Sequence, residues 1–156
     1  MLDLYERGRE REWLATFRFY VDLVPRYCEL DGLSHVSNTV YPEYLELSRL
    51  QYFKAAGDPE KGPYAFTHVV AELRLRYVAA AYYDEPLRVF SKLVRLGRSS
   101  ATMHQAIVGA AGDVRAVSEV AVVRSYGEQA LPWSDAQRLA LFAFEPHLST
   151  PEDRRR

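Results

Sequence analysis

The segment from Thr39 to Ala56 constrains the fold more than any other, because its apolar residues recur at helical spacing over several turns. Tyr41, Tyr44, Leu45, Leu47, Leu50, Tyr52 and Phe53 cover more than half of the helix circumference, so this helix is expected to be well buried. Asn38 or Thr39 supplies a capping side chain, and Pro42 falls in the first turn, where its missing N–H is not needed. Glu43 and Glu46 sit toward the positive end of the helix dipole. Gly57 is placed as a C-cap, and Pro59 forbids continuation. A helix this apolar must be enclosed by the rest of the chain.

What is available to enclose it is mostly strand. Leu14–Arg26 alternates with period two, with Phe17, Phe19, Val21 and Leu23 on one face, and reads as a long first strand ending near Pro25. After the linker 58–63, Leu73, Leu75 and Tyr77 alternate with Glu72, Arg74 and Arg76. Breaks at Asp84-Glu85-Pro86, Gly97-Arg98-Ser99 and Gly109–Asp113 then separate Leu87–Leu96, Ser100–Val108 and the valine-rich Val114–Arg124. Two of these links are short enough for hairpins, so the sheet is expected to be largely antiparallel. Pro132-Trp133-Ser134-Asp135 starts a short closing helix over Ala136–Glu145. The predicted architecture is α+β: a long central helix wrapped by a bent five-stranded antiparallel sheet, with a short C-terminal helix. Residues 1–13, with alternating acids and bases, read as an arm or solvated helix; 14–146 form one domain, and 147–156 are expected to be a disordered tail.

Composition removes several function classes. The formal net charge of −1 over 156 residues gives no basic stripe for nucleic acid. No apolar run reaches the roughly 18 residues of a membrane span, so no membrane partner is expected. The single cysteine, Cys28, permits no internal disulfide and points to a reducing compartment, so a cytoplasmic location is expected. His35, His68, His104 and His147 lack metal-ligand spacing, so no metal site is expected. Eleven tyrosines and seven phenylalanines suit half-wet surfaces such as oligomer interfaces and polar clefts, and equally suit β-rich cores.

The stretch Glu29–Tyr41 carries the chemistry. A carboxylate, Asp31, leaves the first strand; a small-residue bend follows, and then the start of the central helix. That order sets a carboxylate beside the free N–H groups and partial positive charge of a helix N-terminus, a geometry that can hold a carbonyl oxygen. Asp31 is also a common turn residue, so the spacing alone leaves both readings open.

The same residues are similar to a known signature. Glu29, Asp31, His35, Val36, Asn38, Tyr41, Tyr44, Glu46 and Arg49 stand at the spacing of the hotdog-fold acyl-CoA thioesterases of the 4-hydroxybenzoyl-CoA thioesterase type. Ser34 replaces the family's glycine before the histidine. Later segments, around Val69–Asp84, Gly97–Ser100 and Pro132–Glu145, extend the resemblance over most of the chain. It implies a hotdog fold, a homodimer or homotetramer with acyl-CoA held between subunits, and thioester hydrolysis to free acid and CoA with no cofactor beyond the substrate's own CoA. It implies Asp31 as general base or nucleophile and the backbone N–H of Asn38 as oxyanion donor.

Other residues are weighed beside these. His35 polarises the thioester or water, or else is a backbone-bonded residue of the bend. Tyr41 reads as helix core and cleft wall. Arg98, Ser99 and Ser100 are the first candidates for the CoA phosphates, with Lys92 and Arg95 behind them, against the plain reading of a solvated hairpin. Cys28 is read as a small buried residue rather than a cysteine nucleophile, since no histidine stands at a spacing that marks a cysteine hydrolase. An acyl-carrier-protein thioester stands beside acyl-CoA as the substrate, and the alternatives to hydrolysis are a non-catalytic acyl-CoA binder and an enoyl-CoA hydratase or dehydratase of the same fold. The hydratase pattern needs an asparagine where this chain has Leu33.

Overall fold

The structure is a computed structural model and describes residues 2–59 and 68–148. Helices α1 (Glu10–Leu14), α2 (Tyr41–Ala56) and α3 (Asp135–Phe144) accompany strands β1 (Phe19–Leu23), β2 (His68–Tyr77), β3 (Leu87–Leu96), β4 (Ser100–Gly109), β5 (Val114–Tyr126) and β6 (Gln129–Ala130). Every strand pairing is antiparallel, in the order β1-β3-β4-β5-β2, with the short β6 added to β5. The sheet curls around α2, the α+β hotdog arrangement that the resemblance implies. The expected five strands are all present, and β6 is a two-residue addition to them.

Alternation divides the sheet into two faces. Inward, Leu93, Leu96, Met103, Val120 and Val122 pack with Tyr52, Phe53, Trp133 and Leu141, while Val89, Ile107 and Ala116 pack with Tyr41, Tyr44 and Leu45. Outward, Ala106, Val108, Val114 and Val117 are covered by Leu2, Leu4, Tyr5, Trp13 and Leu14. The N-terminal residues are therefore a lid on the outer face. The reason is area: that face carries more apolar surface than a solvated sheet face leaves bare.

Two boundaries differ from the expectation. The first strand begins at Phe19, and Phe17 does not share its face. Phe17 instead meets Phe90 and Trp13, at ring separations of 5.7 and 4.9 Å, while Phe19 meets Tyr52 at 5.5 Å. The chain rotates between the two as it leaves the outer face to join the sheet edge. Helix α2 starts at Tyr41 rather than Thr39, its N-cap is Val40, and neither Asn38 nor Thr39 makes a side-chain cap. A preceding turn, closed by Val40 N–H to the Ser37 carbonyl at 3.0 Å, takes up those residues. Finally, the closing helix is capped as expected at Ser134, whose hydroxyl accepts from Gln137 N–H while the Gln137 side chain returns to Ser134 N–H. Most of the expected linker, residues 60–63, and most of the expected tail, 149–156, lie outside the described residues. Asp58, at the linker's start, is buried and accepts from Gln137 Nε2 at 2.9 Å.

Beneath α2 runs a buried polar seam. Ser48 bonds to Ser91, Gln105 Nε2 donates to Ser91 at 2.8 Å and to the Leu45 carbonyl at 2.9 Å, and Arg49 Nη1 donates to Gln105 Oε1 at 3.0 Å. Arg49 is only 4% exposed, yet no carboxylate among the described residues is within ion-pair distance of it. The seam fixes the rotation of α2 over the sheet, and with it the position of the loop at its N-terminus.

Candidate active site

The loop from β1 to α2 is built by local bonds. A single 3₁₀ turn, Tyr27–Glu29, brings Glu29 under α2. There its carboxylate accepts Tyr44 O–H at 2.6 Å, Arg26 N–H at 2.7 Å and Arg26 Nε at 2.9 Å. Burial pushes the Glu29 carboxyl up, but the bonds from Tyr44 and Arg26 outweigh it and hold the group below the usual carboxylate range. The buried Tyr44 hydroxyl is pushed up by burial and by that carboxylate. Glu29 thus serves as the anchor of the loop. Its carbonyl also accepts Ser37 N–H at 2.9 Å.

Next comes the tight bend. Asp31 N–H donates to the His35 carbonyl at 2.9 Å, and Ser34 N–H donates back to the Asp31 carbonyl at 3.1 Å. Ser34 takes the glycine position of the signature with φ of 63°, in the left-handed region that glycine occupies without steric cost. The replacement is accommodated at a strained residue, and the bend keeps its tightness.

This bend orients the Asp31 carboxylate. Oδ1 accepts Leu33 N–H at 2.8 Å, and Oδ2 lies 3.2 Å from His35 Nδ1. Both side chains are about one-third exposed, at 31% and 30%, so solvent or a ligand reaches them. His35 is held by its backbone bridge to Tyr82, and Val36 N–H donates to the Ala81 carbonyl at 2.8 Å. The loop after β2 therefore supports the histidine from behind. Arg115 secures that loop, donating to the Ala80 carbonyl and pairing with Glu85 and Asp113.

Asp31, His35, Asn38 and Tyr41 open together on a pocket of about 400 Å³, completed by Tyr77 and the 78–80 loop. Asn38 N–H makes no hydrogen bond among the described residues. It stands just before α2, whose dipole adds partial positive charge there. Tyr41 is 4% exposed; its hydroxyl accepts Ala81 N–H at 3.1 Å, and burial pushes it up, so it is a wall and not a proton donor. The pocket thus offers an oriented carboxylate, an imidazole beside it and an uncommitted backbone donor. Together these can activate an oxygen nucleophile and hold a developing oxyanion.

Tyr77 is a member of this site that the sequence pattern marks only as part of a strand. Its hydroxyl donates to the Asn38 carbonyl at 2.7 Å, and its ring meets Tyr41 edge-on at 5.1 Å. The available signal was its position as the last apolar residue of the alternation, where a strand end meets the loop it contacts. The expected phosphate-binding residues line no part of this pocket. Arg98 and Ser99 lie in the β3–β4 turn and Ser100 begins β4; the turn's carbonyls accept Arg138 Nη1 at Gly97, Trp133 N–H at Arg98 and Arg124 N–H at Ser99. Lys92 faces the N-terminal lid, donating to Thr16 Oγ1 at 2.5 Å. Among the described residues, no group of three or more His, Cys, Asp or Glu side chains is gathered to hold a metal ion. No helix among them is long and apolar enough to cross a membrane.

Comparison with known proteins bears on this pocket. The family model of the thioesterase superfamily matches residues 33–116, a span that includes His35, Asn38, Tyr41 and Tyr77 and begins just after Asp31. Uncharacterized protein YsmA of Bacillus subtilis (strain 168) is 28% identical over 133 residues, covering 84% of this chain and 90% of that protein. A thioesterase from Thermus thermophilus, crystallised with coenzyme A and Zn, is 29% identical with a TM-score of 0.76, over 86% of this chain and 98% of that one. A predicted thioesterase from Bacillus stearothermophilus is 26% identical with a TM-score of 0.72, over 85% and 98% of the two chains.

Proposed function

The chain belongs to the thioesterase superfamily, and from that premise we propose that it hydrolyses an acyl-CoA to the free acid and CoA at the Asp31 pocket. The observation that carries the proposal is the meeting of the Asp31 carboxylate with the unbonded Asn38 N–H on one pocket. The thioester carbonyl oxygen accepts from Asn38 N–H, and negative charge grows there as the carbon becomes tetrahedral. One such donor contributes roughly 3 kcal/mol to the transition state. Asp31 either takes the proton of the attacking water or attacks directly to give a mixed anhydride, which water then opens. His35, beside Oδ2, keeps the carboxylate turned toward the carbonyl. The leaving thiolate is a weak base and needs no strong acid to depart.

The proposal includes a homodimer formed by pairing the β2 edges. β2 ends the sheet, and Val69, Val70 and Leu73 on it are 51%, 44% and 37% exposed. A long apolar edge strand is a template for pairing. In antiparallel β2–β2 pairing, the His68 end of one subunit approaches the Tyr77 end of the other. His68 pairs with Arg124, whose N–H donates to the Ser99 carbonyl at 2.7 Å. The β3–β4 turn of one subunit is thereby carried toward the Asp31 pocket of the other, where Arg98, Ser99 and Ser100 meet the CoA phosphates. That the Thermus relative was crystallised with coenzyme A supports this choice of thiol. Cys28 is exposed rather than buried as its sequence context suggests; as the single cysteine it fits a reducing, cytoplasmic setting.

The test is a panel of acyl-CoAs of varied chain length, aromatic acyl groups included, with free thiol followed by a chromogenic reagent. Thiol release from at least one member is expected. Tight acyl-CoA binding without release would replace hydrolysis by a binding role, and hydration of an enoyl-CoA without release would replace it by hydratase chemistry.

A further inference from the structure

Outside the Asp31 pocket, a second polar cavity stands at the edge of the sheet. β1 pairs with β3 only from Leu87 to Ser91, so β3 continues past Lys92 with no strand on that side among the described residues. The chain before β1 and the chain after α3 flank the gap, leaving a cavity of about 500 Å³ lined by Thr16, Arg18, Lys92, Glu145 and His147 among others. It shares no lining residue with the Asp31 pocket.

Its charges are not balanced from within. Glu145 is 7% exposed; Oε1 accepts Tyr52 O–H at 2.8 Å and Leu93 N–H at 3.3 Å, taking the place of a neighbouring strand. Oε2 has no partner among the described residues. Lys92 bonds to the Thr16 hydroxyl and lies 4.6 Å from the Phe17 ring, and neither it nor Arg18 has a carboxylate within ion-pair distance among the described residues. Burial pushes the Lys92 ammonium down and the Glu145 carboxyl up, and the attraction between Glu145 and the Lys92 and Arg18 cations offsets this only in part. Two cations thus face one partly enclosed space whose single acid is already bonded on one oxygen. A partly desolvated ammonium with no carboxylate at contact distance, in a lining where two cations face one acid, gains from an added anionic oxygen, with the arginine fork as second donor.

We propose that this cavity is a second ligand site that takes a small oxyanion, a carboxylate or a phosphate, between Lys92 and Arg18. The same chemistry is offered by a released acyl acid and by a phosphate group, free or on the coenzyme. The inference does not depend on hydrolysis at Asp31.

Calorimetric titration of the full chain with acetate, with inorganic phosphate and with CoA, each against chloride at equal ionic strength, tests it. Saturable binding of acetate or phosphate is expected, weakened at least tenfold by Lys92→Met and by the surface change Arg18→Gln, and unaltered by Asp31→Asn. Circular dichroism verifies that each variant is folded. Acetate alone binding identifies a carboxylate ligand. Phosphate binding that CoA displaces in the wild type, with that displacement lost in Lys92→Met, identifies the coenzyme's phosphate. Responses equal to chloride for both probes, or saturable binding that survives both Lys92→Met and Arg18→Gln, would overturn the proposal.

Discussion

At the scale of single residues, the site rests on two positions that ordinary residue preferences do not favour. Ser34 sits at φ of 63°, where a side chain costs on the order of 1 kcal/mol. Ser34→Gly is therefore expected to raise stability by about 0.5–1 kcal/mol in chemical denaturation while leaving thioester turnover unchanged. Tyr77 holds the Asn38 carbonyl, and so the loop that presents the Asn38 N–H. Tyr77→Phe removes that tether and keeps the ring, so kcat should fall several-fold to about tenfold with KM nearly constant. A parallel rise in KM would instead mark Tyr77 as a substrate contact. Asp31, His35 and Asn38 were legible because one contiguous stretch contains them all. Tyr77 was not, because it reaches the same pocket from a strand far along the chain.

At the scale of elements, α2 was legible from its Gly57 and Pro59 punctuation, and its last residue agrees with the expected one. Its apolar face was read too wide: Leu47 and Leu50 are exposed, and the polar Ser48 and Arg49 are buried in the seam instead. Its beginning was not legible. Capping by Asn38 or Thr39 is a local preference, whereas the loop is fixed by Glu29 and Ser37, which bind it to the underside of α2. Phe17 misled for a related reason, since alternation continues through a twist that turns the residue to the other face. The seam beneath α2 shows what positions the helix. Gln105→Leu leaves Arg49 and Ser91 without their shared partner, and is expected to cost about 2–4 kcal/mol. The double variant Arg49→Met with Gln105→Leu should recover part of that loss, because the buried charge is removed with its partner. Urea denaturation of the two singles and the double measures this coupling. Strict additivity would mean that the bond contributes nothing.

At the scale of the whole molecule, the outer face is closed by Leu2, Leu4, Tyr5, Trp13 and Leu14, while no strand among the described residues covers the far edge of β2. Assembly through β2 is the proposal that follows. Leu73→Arg places a charge on the exposed inward side of that strand, and should shift sedimentation from dimer to monomer with loss of thioesterase activity. A monomeric wild type of full activity would refute the shared site. This level was the least legible in the sequence, since the strand alternation of β2 reads the same whether its far edge meets water or another subunit. Arg98, Ser99 and Ser100 illustrate the difficulty: they line no part of the Asp31 pocket, and the proposed dimer is what would bring them to the CoA phosphates.

The central claim is that Asp31 supplies the attacking or proton-accepting oxygen. Single-turnover hydrolysis of the best acyl-CoA by wild type and Asp31→Asn, with acyl-CoA binding measured in parallel, tests it most directly. Asparagine keeps the Oδ1 acceptor for Leu33 N–H but cannot take a proton or form an anhydride. The predicted result is a rate lower by about 10²–10⁴-fold with binding retained. An Asp31→Asn enzyme that releases thiol at the wild-type rate would contradict the account.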